Sequence, residues 1–397
     1  MPACKDIPYV LDKLSWMRAE RIWPNGLRYT WTDAFGVVLL VSLYEELGKP
    51  RFLDEAEWVV SDVDRVLGRP RGIRIGEAPD RDGQYFHYLA TWLYALSVLA
   101  RHVPAYRRKG IDLVRQIHPA FVMPGRGVFW KMKEDLSAPY PGFGFGALDA
   151  FDGYVSYRCL DEQALAHEIA DMRALIDATA ESLNITQDLG LGMMLWLTHF
   201  FPAENWAVVQ RRRSLAVLDL MWREDGYFCR EPNLPHVKFA FTNYGVSIGL
   251  QSAKVMTERV SRLNDFFDHY RSGDEYDREA ITHVMACNSH FLLGMRPLPH
   301  SLRREEGRVL GPADAPLSLV PRCATLKAGD AAFLMIALVW SARVGRPFCA
   351  LRSQAHGRPK PRVHRDRRRA ARVGANMTAN GGRHGPGFWR GYRRTAG

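Results

Sequence analysis

A sixfold alternation between two kinds of helical segment constrains this chain more than any other feature. One kind is amphipathic and falls near residues 7–22, 51–67, 105–118, 161–180, 204–222 and 254–270. In the second of these, Phe52, Ala56, Val59, Val60 and Val63 recur at helical spacing, with Asp54, Glu55, Glu57 and Asp62 between them. The other kind opens on polar residues and then runs apolar nearly all round. Its members begin near Trp31-Thr-Asp-Ala-Phe-Gly, Asp82-Gly-Gln-Tyr-Phe-His, Leu148-Asp-Ala-Phe-Asp-Gly-Tyr, Gln187-Asp-Leu-Gly-Leu-Gly-Met, Phe241-Thr-Asn-Tyr-Gly and Ile281-Thr-His-Val-Met.

A helix that is apolar on every side has to be enclosed by other elements. Repetition at roughly 40–50 residues is the mark of a repeat architecture. Six amphipathic helices paired with six enclosed ones are satisfied by two concentric rings. The expected fold class is therefore all-α, an (α/α)6 toroid of six helical hairpins. A solenoid is the rival, but it does not require inner helices this apolar. Sustained period-2 alternation is almost absent, so strands should be few.

The alternation also sets direction. If each enclosed helix follows an outer one, all six run parallel and their N-termini gather at one end. The connections entering them, residues 68–82, 119–147 and 223–240, collect there too. They are rich in Gly, Pro and aromatic residues and are expected to wall a pocket. Helix N-termini add free N–H groups and positive dipole ends.

Several of these openings resemble a known group. Gly26-Leu-Arg-Tyr-Thr-Trp-Thr-Asp-Ala-Phe-Gly, Asp82-Gly-Gln-Tyr-Phe-His-Tyr-Leu, Asp149-Ala-Phe-Asp-Gly-Tyr, Asp188-Leu-Gly and Ile281-Thr-His-Val-Met-Ala-Cys are similar to six-hairpin glycosidase-like proteins over about residues 20–295. The resemblance implies the (α/α)6 toroid, and many proteins of that fold cleave or isomerise sugars. A fold alone does not confer an activity.

The formal net charge of +11 belongs to one end of the chain. From Arg296 onward there are 21 Lys and Arg against 5 Asp and Glu, while residues 1–295 carry 33 against 38. A toroid domain is thus expected over 1–295, followed by an Arg-, Pro- and Gly-rich tail over 296–397, mostly disordered apart from the apolar stretch Ala331–Val344. Nucleic acid is not an expected partner, except non-specifically through that tail. No run reaches the roughly 18 apolar residues of a membrane helix, so no membrane partner is expected. The start, Met1-Pro-Ala-Cys-Lys-Asp, lacks a basic region followed by an apolar core, and six cysteines lie scattered over 397 residues. The expected setting is reducing and cytoplasmic.

Glycoside hydrolysis needs a proton donor at the leaving oxygen and a second carboxylate. The openings of the enclosed helices offer Asp33, Asp80, Asp82, Asp149, Asp152 and Asp188. Asp82 with Asp149 or Asp152 is the leading pair, and Asp33 is a helper that orients substrate. Crowding and burial are expected to raise at least one of these pKa values, foremost at Asp82 beneath Tyr85 and Phe86. Each aspartate is also a good helix cap. Substrate contacts are expected from Trp31, Gln84, Tyr85, His87, Tyr154, Asp188, Asn243 and His283, with rings stacking on the apolar faces of a sugar. Trp92, Trp130, Trp196 and Tyr244 read as core. Arg28 and Arg158 read as surface or capping residues.

The alternative is a sugar epimerase or isomerase that moves protons with His87 and His283. A third reading is a non-catalytic toroid holding a glycan or peptide. In each case the expected partner is a small-molecule or oligosaccharide ligand. No cofactor and no metal are expected. The Cys287/His290 and Cys229/His236 pairs fall short of the three or four convergent ligands of a closed zinc site. Gly190-Leu-Gly-Met-Met lacks the strand and lysine of a phosphate loop, and no Gly-x-Ser-x-Gly occurs.

Overall fold

The structure, a computed structural model, describes residues 6–224, 240–271, 273 and 275–291. Cys229, His236, most of the 223–240 connection and the tail from 296 lie outside the described residues.

Twelve α-helices are present among the described residues. The six enclosed ones are α2 (Thr30–Leu47), α4 (Phe86–Leu99), α6 (Asp149–Asp161), α8 (Asp188–Thr198), α10 (Ala240–Ser252) and α12 (Ala280–His290). The six outer ones are α1 (Ile7–Ala19), α3 (Pro50–Leu67), α5 (Ala105–Phe121), α7 (Ala166–Thr179), α9 (Asn205–Glu224) and α11 (Thr257–His269). In α2 every residue from Thr30 to Leu43 is buried, whereas α3 buries only Phe52, Ala56, Val59, Val60, Val63 and Leu67. The contrast is the one written in the sequence: a full apolar circumference sits inside and a single apolar stripe faces inward.

The inner helices pack in sequence, α2 on α4, α4 on α6, α8 on α10 and α10 on α12, with a slighter contact between α6 and α8. Helix α12 then returns to α2, where Asn288 Nδ2 donates to the Phe35 carbonyl over 3.1 Å. The ring is closed. Each inner helix from α2 to α10 packs on the outer helix that follows it, and α1 covers α12. That last pairing is fixed by polar contacts as well. The Asp6 N–H donates to the His290 carbonyl (3.0 Å), and Asp268 on α11 accepts from Tyr9 on α1 (2.6 Å) and Tyr244 on α10 (2.7 Å). His290 on α12 lies 2.7 Å from the same carboxylate.

Close approach of α8 and α10 depends on glycine. A Cβ on Gly192 would collide with the carbonyl of Gly245, and one on Gly249 with that of Gly192. The Gly190–Met194 run therefore serves helix packing. Strand structure among the described residues is confined to four two-residue pieces. β1 (Gln84–Tyr85) pairs antiparallel with β4 (Lys131–Met132), and β2 (Val122–Met123) with β3 (Gly127–Val128). The second inner segment of the sequence thus starts later than its polar opening suggests: α4 begins at Phe86, after the β1 pairing. Among the described residues, no helix is long and apolar enough to cross a membrane.

Candidate functional site

The N-terminal turns of the inner helices meet at one end of the ring. Trp31 on α2 contacts His87 (centroids 5.5 Å) and Tyr88 (5.2 Å) on α4. Phe86 abuts Gly153 on α6. Thr242 on α10 donates to Asp188 Oδ2 on α8 over 2.6 Å. The connection 119–147 folds over this end. Its Trp130 ring lies parallel to the His87 imidazole at 6.1 Å and packs on Tyr85 at 4.7 Å. Trp31, Tyr85, His87, Tyr88 and Trp130 form one aromatic basin, all of them buried. Trp130, read as core from the sequence, belongs to the basin.

Two carboxylates border it. Asp149 opens α6 and accepts the main-chain N–H of His87, so it caps the neighbouring helix α4 as well as its own start. That N–H is one of the unpaired donors of the first turn. Burial, reinforced by Asp152, drives the Asp149 carboxyl well above the usual range. Asp152, one turn on, is partly accessible to solvent, yet burial pushes its carboxyl up to about 8. Burial has the opposite effect on a cation: His87 is pushed down to about 3 and is a neutral imidazole at physiological pH. Burial thus favours the uncharged form of all three groups.

Several buried polar atoms at this end make no hydrogen bond among the described residues: Trp31 Nε1, Trp130 Nε1, Asp149 Oδ1 and Asn243 Oδ1. Most buried polar groups are paired, so a group of unpaired ones is a place for a polar ligand. Beneath the basin, Lys131 is buried, donates to the Arg81 carbonyl (2.6 Å) and the Tyr85 hydroxyl (3.3 Å), and lies 3.7 Å from Glu77. Burial lowers its pKa, which Glu77 partly opposes. Neither Lys131 nor Glu77 stood out in sequence. The only trace was the alternation Val128, Trp130, Met132, which marks a short strand and puts Lys131 on its other face.

The remaining expected site residues lie elsewhere or are otherwise engaged. Asp82 is fixed in its own loop: its carboxylate pairs with Arg74 and accepts from Gly83 N (2.8 Å) and Gly76 N (3.3 Å). Asp33 is locked among Arg28 Nη1 (3.1 Å), Trp23 Nε1 (3.0 Å) and Tyr29 N (3.0 Å). Burial raises it to about 6 against the pull of Arg28. Arg28 is itself buried, not a surface residue. Gln84 is satisfied by Ile73 N, the Arg71 carbonyl and the Glu134 carbonyl, and staples the 68–73 loop. Tyr154 turns outward to Glu204, which also receives Arg158 and Arg173. His283 faces α1, edge-on to Trp16 at 4.7 Å, and its Nε2 lies 2.8 Å from the Asp277 carbonyl. Asp188 joins α8 to α10 through Thr242, accepting also from Leu189 N. Of the expected residues, the structure brings together Trp31, Tyr85, His87 and Asp149, with Asp152 one turn further along α6; Asn243 lies on α10, which packs on α8 and α12.

Among the described residues no group of three or more His, Cys, Asp or Glu could hold a metal ion. The Cys287 thiol is pushed up to about 12 by burial, and His290 is held by Asp268.

No protein-family model matches this chain, and no curated protein matches it. Among solved structures, cellobiose 2-epimerase from Bacillus thermoamylovorans B4167 is similar, at 12% identity and a TM-score of 0.44, over 67% of this chain and 88% of that one. A likeness at that level carries no argument about activity.

Proposed function

We propose that the chain is a carbohydrate-active enzyme of the proton-transfer kind, an epimerase or isomerase, acting at the aromatic basin. The observation that carries this reading is the junction of α4 and α6. There the His87 main-chain N–H meets the Asp149 carboxyl, which brings an imidazole and a carboxyl onto adjoining helix starts. Proton abstraction next to a sugar carbonyl needs a neutral base and a protonated acid at the carbonyl oxygen. His87 is the base, and Asp149 with Asp152 supplies the acid. Trp31, Tyr85 and Trp130 offer apolar faces for the C–H side of a pyranose, and the unpaired indole N–H groups suit its hydroxyls.

Hydrolysis fits this geometry less well. It calls for an ionised carboxylate beside the acid, and the ion-paired ones, Asp33 and Asp82, are tied to Arg28 and Arg74. The His87/His283 pair is also set aside, because His283 packs against α1. A panel of free aldoses, ketoses and disaccharides assayed for isomer formation tests the proposal. Turnover should vanish in Asp149→Asn and His87→Gln. Wild-type-like turnover in both variants would remove the basin from the chemistry.

The domain is proposed to span 1–295, with 296–397 an appended basic segment. A reducing, cytoplasmic setting is the accompanying proposal, supported by Cys159 and Cys287, both free and buried.

A further inference from the structure

A cavity of about 710 Å³ opens in the outer ring, between the end of α3 and one face of α5. It shares no lining residue with the aromatic basin, and its size falls within the roughly 300–1,000 Å³ of small-molecule sites. The floor is apolar: Ile73 from the loop after α3, Leu113 on α5 and Trp92 on α4 are all buried. Trp92 reaches this floor from the inner ring, and its indole N–H makes no hydrogen bond among the described residues. Most buried donors are paired, so this one marks a place for an acceptor on a ligand. Three apolar side chains, one of them an indole, present a surface on which a ring can lie.

The rim favours negative charge. Helix α5 opens at this cavity without a side-chain cap, and its first residues, Ala105-Tyr-Arg-Arg-Lys, hold three cations and no acid. A helix start carries partial positive charge, so cations there are unfavourable until an anion joins them. Two of the cations lining the cavity are already engaged, Lys109 with Asp64 on α3 and Arg69 with Glu134 at 2.7 Å. Arg108 has only a loose partner, Asp112 Oδ2 at 3.8 Å from its Nε, and its side chain is exposed. One anionic group beside Arg108 finds a guanidinium and a helix start together, whereas a multiply charged one also meets Asp64 and Asp112. We propose that this cavity binds a small aromatic carboxylate. The carboxylate sits at the start of α5 against Arg108, the ring lies on Ile73, Leu113 and Trp92, and an oxygen on the ring accepts from the Trp92 indole. The site is independent of the sugar chemistry proposed for the basin.

Calorimetric titration of the full chain with para-hydroxyphenylacetate tests it, beside three probes that each lack one feature. Phenylacetate lacks the ring oxygen, para-hydroxyphenylethanol lacks the carboxylate, and inorganic phosphate lacks the ring. Para-hydroxyphenylacetate should bind most tightly. Phenylacetate should bind about fivefold more weakly and the alcohol more than about tenfold more weakly, the ordinary worth of a neutral and of a charge-assisted hydrogen bond. Arg108→Ala, at an exposed position, should weaken both carboxylates and leave the alcohol unchanged. Trp92→Phe should abolish the advantage of para-hydroxyphenylacetate over phenylacetate. Because Trp92 is a core residue, NMR of the wild-type chain labelled at its indole nitrogens gives a second readout: the Trp92 signal should shift with para-hydroxyphenylacetate and stay in place with phosphate. If phosphate binds as tightly as the carboxylates, if Arg108→Ala binds every probe as the wild-type chain does, or if none of the probes binds, the site is overturned.

Discussion

Gly146 lies against the carboxylate of Asp149 so closely that a Cβ in place of its hydrogen would collide with Oδ2. Gly146 is held there by its own N–H, which donates to the Val128 carbonyl over 2.9 Å. The connection that covers the basin therefore also fixes where the acid stands. Gly146→Ala must displace Asp149 or the start of α6. It should cost about 1–3 kcal/mol of stability, the usual range for overpacking. Sugar turnover should fall far more than the residual folded fraction explains. Thermal melts beside activity on the same preparation separate the two effects.

Asp82 and Asp149 should behave in opposite ways when changed to Asn. Asp82 pairs with Arg74 and organises a loop, so Asp82→Asn should lower stability by about 1.5–3 kcal/mol, the worth of hydrogen bonds to a charged group. Turnover of the protein that remains folded should change little. Asp149→Asn removes a carboxyl that burial already keeps uncharged, so stability should hold while turnover is lost. Denaturant midpoints and specific activities of the two variants give the comparison.

Much of this was legible before the structure, and the reasons it was or was not are physical. The twelve helices follow directly from circumference: α2 is apolar all round and α3 on one stripe, and period alone distinguishes them. What was not legible depends on how loops turn and on partners far along the chain. Asp33 and Asp82 were offered as acids or caps, but they pair with Arg28 and Arg74 across loops whose turns no helical period discloses. Gln84 and Tyr85 looked helical because their partners in the β1 pairing, Met132 and Lys131, lie almost fifty residues on. Tyr154 and His283 sit on the right helices but face the outer ring, a rotation that an all-apolar helix does not disclose. Asp149 and Asp152 could be set on one face from sequence because an i,i+3 pair at a helix start needs no distant information.

The pH dependence of stability has a defined sign on each side. Asp152 is raised to about 8 and Asp33 to about 6, from ordinary carboxylate values near 4. Their contributions are fully present at low pH and are lost as pH rises, up to about 6 for Asp33 and about 8 for Asp152. The slope is at most about 1.4 kcal/mol per pH unit per proton. His87, lowered to about 3, and His283, to about 4, act in reverse: their contributions are present above about 6.5 and are lost as pH falls through the acid range. Asp152→Asn should flatten the alkaline decline and His87→Gln the acid one. Denaturant melts from pH 4 to 9 check both. An unchanged alkaline decline in Asp152→Asn would mean that this carboxyl is ionised in the folded chain.

Ring closure is complete before the tail begins, since α12 packs on α2 and is covered by α1. A chain ending near residue 295 should therefore melt within a few degrees of the full chain and keep its helical circular dichroism. A large fall in melting temperature would move the domain boundary beyond 295.

Proton transfer at carbon is the central claim, and solvent deuterium reads it directly. The sugar that the panel identifies is incubated with the chain in D2O and followed by proton NMR. The account predicts that a carbon-bound hydrogen next to the carbonyl is replaced by deuterium as the isomer forms, with no glycosidic bond broken and no exchange in His87→Gln or Asp149→Asn. Cleavage of the glycosidic bond without deuterium at carbon would contradict it.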